Sequence, residues 1–226
     1  MTDAAASAAP LLEFRRVGKR FGDRVVLDNL SFQVARNEFV LLLGPSGAGK
    51  TTVLRLIAAL EAPTEGEITV AGQALSRIRR RGLPLLRRSI GLVLHDAMLL
   101  DDRNVLQNVA LPLIVAGVAW RDSLERAEAA LQRVGLAEID GRAFPGHLSR
   151  SARQRAALAR AVVNKPALLL VDEPTAHLDH SSASGVMRLL EQFVAAGVTV
   201  VCTSDATITR PPEAARAIAL EPAGKQ

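Results

Sequence analysis

Residues 38–51 read Glu-Phe-Val-Leu-Leu-Leu-Gly-Pro-Ser-Gly-Ala-Gly-Lys-Thr. The first six, Glu38 to Leu43, form a nearly continuous apolar run that stops at Gly44, the pattern of a strand buried on both faces. The next eight, Gly44, Pro45, Ser46, Gly47, Ala48, Gly49, Lys50 and Thr51, fit G-x-x-x-x-G-K-[ST]. A helical pattern then runs from Lys50 to Leu60. Strand, glycine-rich loop and helix in this order make a phosphate cradle. The glycines let backbone N–H groups turn inward, and the helix N-terminus adds positive potential. Lys50 is expected to reach β- and γ-phosphates, and the Thr51 hydroxyl to sit on Mg²⁺.

A second apolar strand, Ala167–Val171, ends in two carboxylates, Asp172 and Glu173. Parallel sheets deliver ligand groups at the carboxyl ends of their strands. Asp172 suits Mg²⁺, directly or through water. Glu173 is placed to polarise an attacking water.

Working outward, Leu12–Val17 and Val25–Val34 alternate as strands around a Phe21-Gly22-Asp23 turn, and Glu67–Val70 reads as another strand. Ile90–Leu94 and Val198–Cys202 are further strand candidates. Helices are expected in Val105–Val115, Ser123–Val134, Ser151–Asn164 and Ser181–Ala195. Strand–helix–strand order in the carboxyl half favours a parallel sheet, and residues 72–165 read as a helical subdomain inserted into it.

The 226 residues allow one domain or two small ones. At 49% hydrophobic and 23% charged the chain is not disordered, and at 3% aromatic its core must be aliphatic. The net charge of +5 permits an anionic partner without requiring one, and no nucleic-acid reader motif accompanies it. Cys202, the single cysteine, excludes an intrachain disulfide. Met1–Pro10 lacks both a charged and an apolar segment and reads as a loose tail rather than a signal peptide. The longest apolar run, Val109–Trp120, is too short for a bilayer span, so a cytoplasmic protein is expected.

The order of these motifs, with Pro174-Thr175 and His177-Leu178-Asp179 following, resembles the nucleotide-binding subunits of ABC transporters over residues 11–220. Pro84–Gly91, Leu99–Arg103, Asn108–Gly117 and Ala161–Pro166 are most similar to the FtsE type of cell-division ATPase. The resemblance implies an α/β P-loop NTPase fold of ABC type: a mainly parallel sheet core, an antiparallel β part and an inserted helical subdomain, with short tails at 1–10 and 221–226. It implies a homodimer with two ATPs and Mg²⁺ at the interface, held peripherally at the inner face of the cell membrane. The implied partner is an FtsX-like integral membrane protein controlling peptidoglycan hydrolases, and no nucleic acid is involved. By the same resemblance Phe21 stacks on adenine, and Thr52, Ser149, Arg150 and Asp179 join the nucleotide contacts.

Three positions depart from the family pattern. His95 stands where a glutamine contacts Mg²⁺ and the attacking water, and imidazole is a poor Mg²⁺ ligand. Leu148-Ser149 is followed by Arg150-Ser151-Ala152 instead of two glycines, which puts a bulky cation where a helix N-terminus approaches the opposite subunit's γ-phosphate. Ser204 replaces a histidine and is too short to reach the γ-phosphate. Slowed hydrolysis is therefore expected, with Glu173, His95 and Ser204 as the catalytic positions. A non-hydrolysing ATP-dependent module and the ATPase subunit of a lipoprotein or drug exporter stay open as alternatives. The arginines at 77, 79, 80, 81, 87 and 88 could touch anionic lipid head groups but read rather as a solvated subdomain face, and His147 and His180 have no partner at metal-ligand spacing.

Overall fold

The computed structural model describes residues 9–95, 98–136, 141–205 and 214–223. Residues 1–8 and 224–226 of the two expected tails lie outside the described residues. The chain forms two sheets. The antiparallel one contains β1 (Leu12–Phe21), β2 (Arg24–Val34), β4 (Glu65–Val70) and β5 (Gln73–Ala74) in the order β2-β1-β4-β5. The other contains β3 (Phe39–Leu43), β6 (Ile90–Val93), β7 (Leu168–Val171), β8 (Thr199–Ser204) and β9 (Ala215–Ala219). Its order is β6-β7-β8-β3-β9, with every pairing parallel.

The parallel sheet is covered on both faces, which explains the continuous apolar runs. Along β3, Phe39 and Leu41 face one core and Val40 and Leu42 the other. The first core holds α3 (Val105–Val115), α4 (Trp120–Arg133), α5 (Arg150–Val162) and α6 (His180–Ala195) against the sheet. The second packs α1 (Lys50–Ile57) between it and the antiparallel sheet. Each large aliphatic side chain buried this way contributes about 1.5–3 kcal/mol. The short α2 (Leu83–Arg88) precedes β6.

The helices expected in the middle of the chain are present, with one shifted start. The chain from 120 is already helical, and Ser123, expected to open α4, lies inside it. Its buried hydroxyl donates to the Ala119 carbonyl at 2.9 Å, so it bonds back into the first turn instead of capping it. Asn104 does cap α3: it accepts from the Gln107 N–H at 2.8 Å while Gln107 accepts from the Asn104 N–H at 3.1 Å. The helix expected over Lys50–Leu60 ends at Ile57, and the chain then turns through Ala59 at φ 50°. Strand β8 runs to Ser204 rather than stopping at Cys202. Strands β5 and β9 and helix α2 were not anticipated.

Candidate functional site

The loop 44–49 leaves the carboxyl end of β3, and the acidic turn leaves β7, two strands away in the same sheet. Gly49 opens α1 at φ 87°, and a Cβ there would fall 2.7 Å from Leu27 Cδ2. The backbone thus passes close beneath β2 in a conformation that favours glycine. Gly44 is equally confined, since a Cβ would meet the Leu220 carbonyl oxygen at 2.5 Å.

Lys50 is buried at 5% exposure, and a buried ammonium needs partners to offset its desolvation. It donates to the Gly44 carbonyl at 2.7 Å and to the Pro45 carbonyl at 3.3 Å, and pairs with Glu173 Oε1 at 3.2 Å. Thr51 Oγ1 donates to Asp172 Oδ2 at 2.8 Å, joining loop and acidic turn directly. The Asp172 N–H donates to the Val93 carbonyl at 2.8 Å, which extends the β6–β7 ladder into the turn. Glu173 has φ 45°, a backbone state uncommon for a residue with a side chain.

Sequence reasoning missed Thr203. Its hydroxyl is fully buried, donates to Asp172 Oδ1 at 2.6 Å and accepts the Glu173 N–H at 2.8 Å. The available signal was a polar residue directly after the apolar run Val200–Cys202. Its partner becomes visible only once β7 and β8 pair in register, Val171 opposite Cys202.

Two cavities meet at Glu173. One, of about 410 Å³, is lined by Phe21, Arg24, Val26, Ser46, Gly47, Gly49, Lys50, Thr51, Thr52 and Glu173. Phe21 is 45% exposed, with Lys19 Nζ 4.5 Å from its ring centroid. The other, of about 540 Å³, is lined by His95, Arg150, Arg153, Gln154, Asp172, Glu173, Pro174, Ala176, His177 and Leu178. There His95 and His177 meet edge to face, ring centroids 6.1 Å apart.

The structure therefore brings Phe21, Ser46, Gly47, Gly49, Lys50, Thr51, Thr52 and Glu173 to one cavity, and His95, Arg150 and Asp172 to its neighbour. Gly44, Pro45 and Ala48 shape the loop, where the Ala48 N–H donates to the Pro45 carbonyl at 3.2 Å. Ser149, Asp179 and Ser204 line neither cavity. Ser149 caps α5 by accepting from the Ala152 N–H at 3.1 Å, and Asp179 caps α6 by accepting from the Ser182 N–H at 3.0 Å. Hydrogen bonds from the Ser182 side chain and backbone hold the Asp179 carboxyl below the usual carboxylate range. Ser204 is buried at the end of β8.

The groups expected to hold a metal, the Thr51 hydroxyl and the Asp172 carboxylate, are hard oxygen donors that match Mg²⁺. Among the described residues no cluster of three or more His, Cys, Asp or Glu side chains could hold a metal. Burial pushes the Cys202 thiol far above its usual range, with the charges of Asp172 and Glu173 acting in the same direction, which disfavours the thiolate that would react.

Residues 27–176 match the family model for ABC transporters. That stretch includes the glycine-rich loop, Arg150 and the acidic pair, and stops short of Asp179 and Ser204. The cell division ATP-binding protein FtsE of Escherichia coli K12 is 45% identical over 192 residues, covering 84% of this chain and 86% of its own. The ABC transporter ATP-binding protein YknY of Bacillus subtilis is 38% identical over 201 residues, covering 88% and 84%. Among solved structures, a dimeric ATP-binding cassette, MJ0796, in a post-hydrolysis state with ADP and Pi superposes with a TM-score of 0.85. It is 32% identical, over 94% of this chain and 96% of that one.

Proposed function

The chain belongs to the ABC transporter family of ATP-binding subunits, is FtsE-like within it, and on that premise we propose that it binds MgATP, dimerises around two nucleotides and drives an FtsX-like integral membrane protein. The process would be cell division, through control of peptidoglycan hydrolases. The subunit would sit peripherally at the inner face of the membrane. Among the described residues no helix is long and apolar enough to cross a membrane, so attachment would come through the partner.

One observation carries the nucleotide reading. The loop cation, the Thr51 hydroxyl and the Asp172–Glu173 pair converge at the carboxyl ends of β3 and β7. Lys50 would neutralise β- and γ-phosphate charge, and the loop N–H groups would cradle the phosphates. Thr51 and Asp172 would hold Mg²⁺, which when bound supplies charge stabilisation at the reacting phosphate. Phe21, on the rim of the same cavity, is placed for the adenine. Glu173 would orient the attacking water and take its proton. An anionic phosphate competes with Glu173 for Lys50, so nucleotide binding would release the carboxylate for that role.

Hydrolysis is proposed to be slow. His95 and Arg150 line the cavity beside Asp172 and Glu173, where an imidazole and a guanidinium replace a glutamine and a glycine of the family pattern. Ser204, buried at the end of β8, replaces a histidine of the family pattern. In a homodimer each change occurs at both sites. Losing one positioning group in such a site costs about 10²–10³ in rate. The same residues favour a second reading, a module in which ATP binding alone stabilises a complex. Phosphate release at saturating ATP separates the two, and a pull-down from membranes in MgATP identifies the partner. Recovery of a lipoprotein or drug exporter in place of an FtsX-like protein would overturn the assignment to division.

A further inference from the structure

We infer that Thr203 is a positioning residue for the metal half of this site, an inference that rests on the nucleotide reading above. A threonine hydroxyl has one proton to give, and Thr203 gives it to Asp172 Oδ1. Thr51 gives its own to Oδ2. The Asp172 carboxylate is thus held at both oxygens, each by a hydroxyl from a different segment of the chain. One belongs to the first turn of α1, directly after the glycine-rich loop, and the other to β8, next to Ser204.

The lone pair of the same Thr203 oxygen accepts the Glu173 N–H at 2.8 Å. That bond anchors the backbone of the next residue in its left-handed conformation at φ 45°. Asp172 and Thr203 are both buried, at 2% and 0% exposure. Removing the hydroxyl therefore leaves a carboxylate oxygen and an amide N–H that water reaches poorly. Thr203 changes no charge and touches no residue expected to contact phosphate except through Asp172 and the Glu173 backbone. Its loss should act on how the carboxylate presents itself to a metal. Cradling of phosphate by the loop and Lys50 should continue.

The experiment is calorimetric titration of the full chain with ATP, once in Mg²⁺ and once in EDTA. It compares wild type with Thr203→Val, Thr203→Ala and Thr203→Ser. The quantity read is the ratio of the two affinities, which isolates what the metal adds. Groups that orient a metal ligand are typically worth about 10–100-fold in metal affinity, and the ratio should fall by that much in Thr203→Val. Affinity in EDTA should hold, which also shows that the variant is folded. Thr203→Ala removes the hydroxyl without setting a methyl group against Asp172, and should behave as Thr203→Val does. Thr203→Ser should restore the wild-type ratio. An unchanged ratio, equal losses with and without metal, or a serine variant as defective as valine would each overturn the inference. Failure of the wild-type chain to bind ATP would overturn the nucleotide reading itself, and is seen before any variant is compared.

Discussion

Lys50 Nζ lies 3.2 Å from Glu173 Oε1, so the cation of the glycine-rich loop and the carboxylate of the acidic turn hold each other. Lys50 is nearly enclosed while a third of the Glu173 side chain remains open to solvent. The buried partner needs the pair more than the exposed one does. A phosphate entering the cavity would offer Lys50 a stronger anion and would leave Glu173 free to turn toward water.

Lys50→Ala should reduce ATP affinity by about 100-fold or more. Charge-assisted hydrogen bonds are worth about 1.5–3 kcal/mol each, and two phosphates lose theirs together. Calorimetry or a fluorescent ATP analogue measures this. Equal affinity in wild type and variant would remove the loop from the site.

Cys202 should resist thiol reagents in the folded chain at mildly alkaline pH and react fully in denaturant. Burial disfavours its thiolate, and the thiolate is the reacting form. Rapid labelling of the native protein would contradict the placement of β8 at the centre of the sheet.

Glu173→Gln should lengthen the lifetime of an ATP-bound dimer less than it would in a relative with the full family motifs. If hydrolysis is slow, as proposed, removing the Glu173 carboxylate leaves little to slow. Size-exclusion chromatography in MgATP shows the outcome. A large gain in dimer would mean that the wild type turns over efficiently.

What the sequence made legible follows from burial and contiguity. Strands β3 and β7 stand out because both faces are covered, and the loop 44–51 carries its chemistry in consecutive residues. Strand β9 escaped because Ala215–Ala219 is a partly exposed edge of small residues broken by Arg216. Helix α2 escaped because six residues with Pro84 in the first turn hold too little periodicity. Helix α4 begins at Trp120, ahead of the expected Ser123, whose hydroxyl bonds backwards to the Ala119 carbonyl. Thr203 and the His95–His177 contact arise from pairing between distant segments, which no local pattern encodes.

The two-part reading of the site, binding intact and turnover slowed, is tested most directly by steady-state phosphate release at saturating MgATP. Wild type should be compared with single, paired and fourfold combinations of His95→Gln, Arg150→Gly, Ser151→Gly and Ser204→His. Wild-type release should fall well below about 1 s⁻¹, the lower end of the usual enzyme range. The Arg150 and Ser151 changes should raise it most, because they let the opposite subunit's helix N-terminus approach. Gains should exceed the product of the single effects if, as proposed, all four positions act on one phosphate or its attacking water. Ser204→His alone should do little, and its bulk at a buried strand end costs about 1–3 kcal/mol of stability. Wild-type release at about 1 s⁻¹ or faster would contradict slowed turnover. A fourfold variant that binds ATP and still releases no phosphate would contradict the assignment of the block to these four residues.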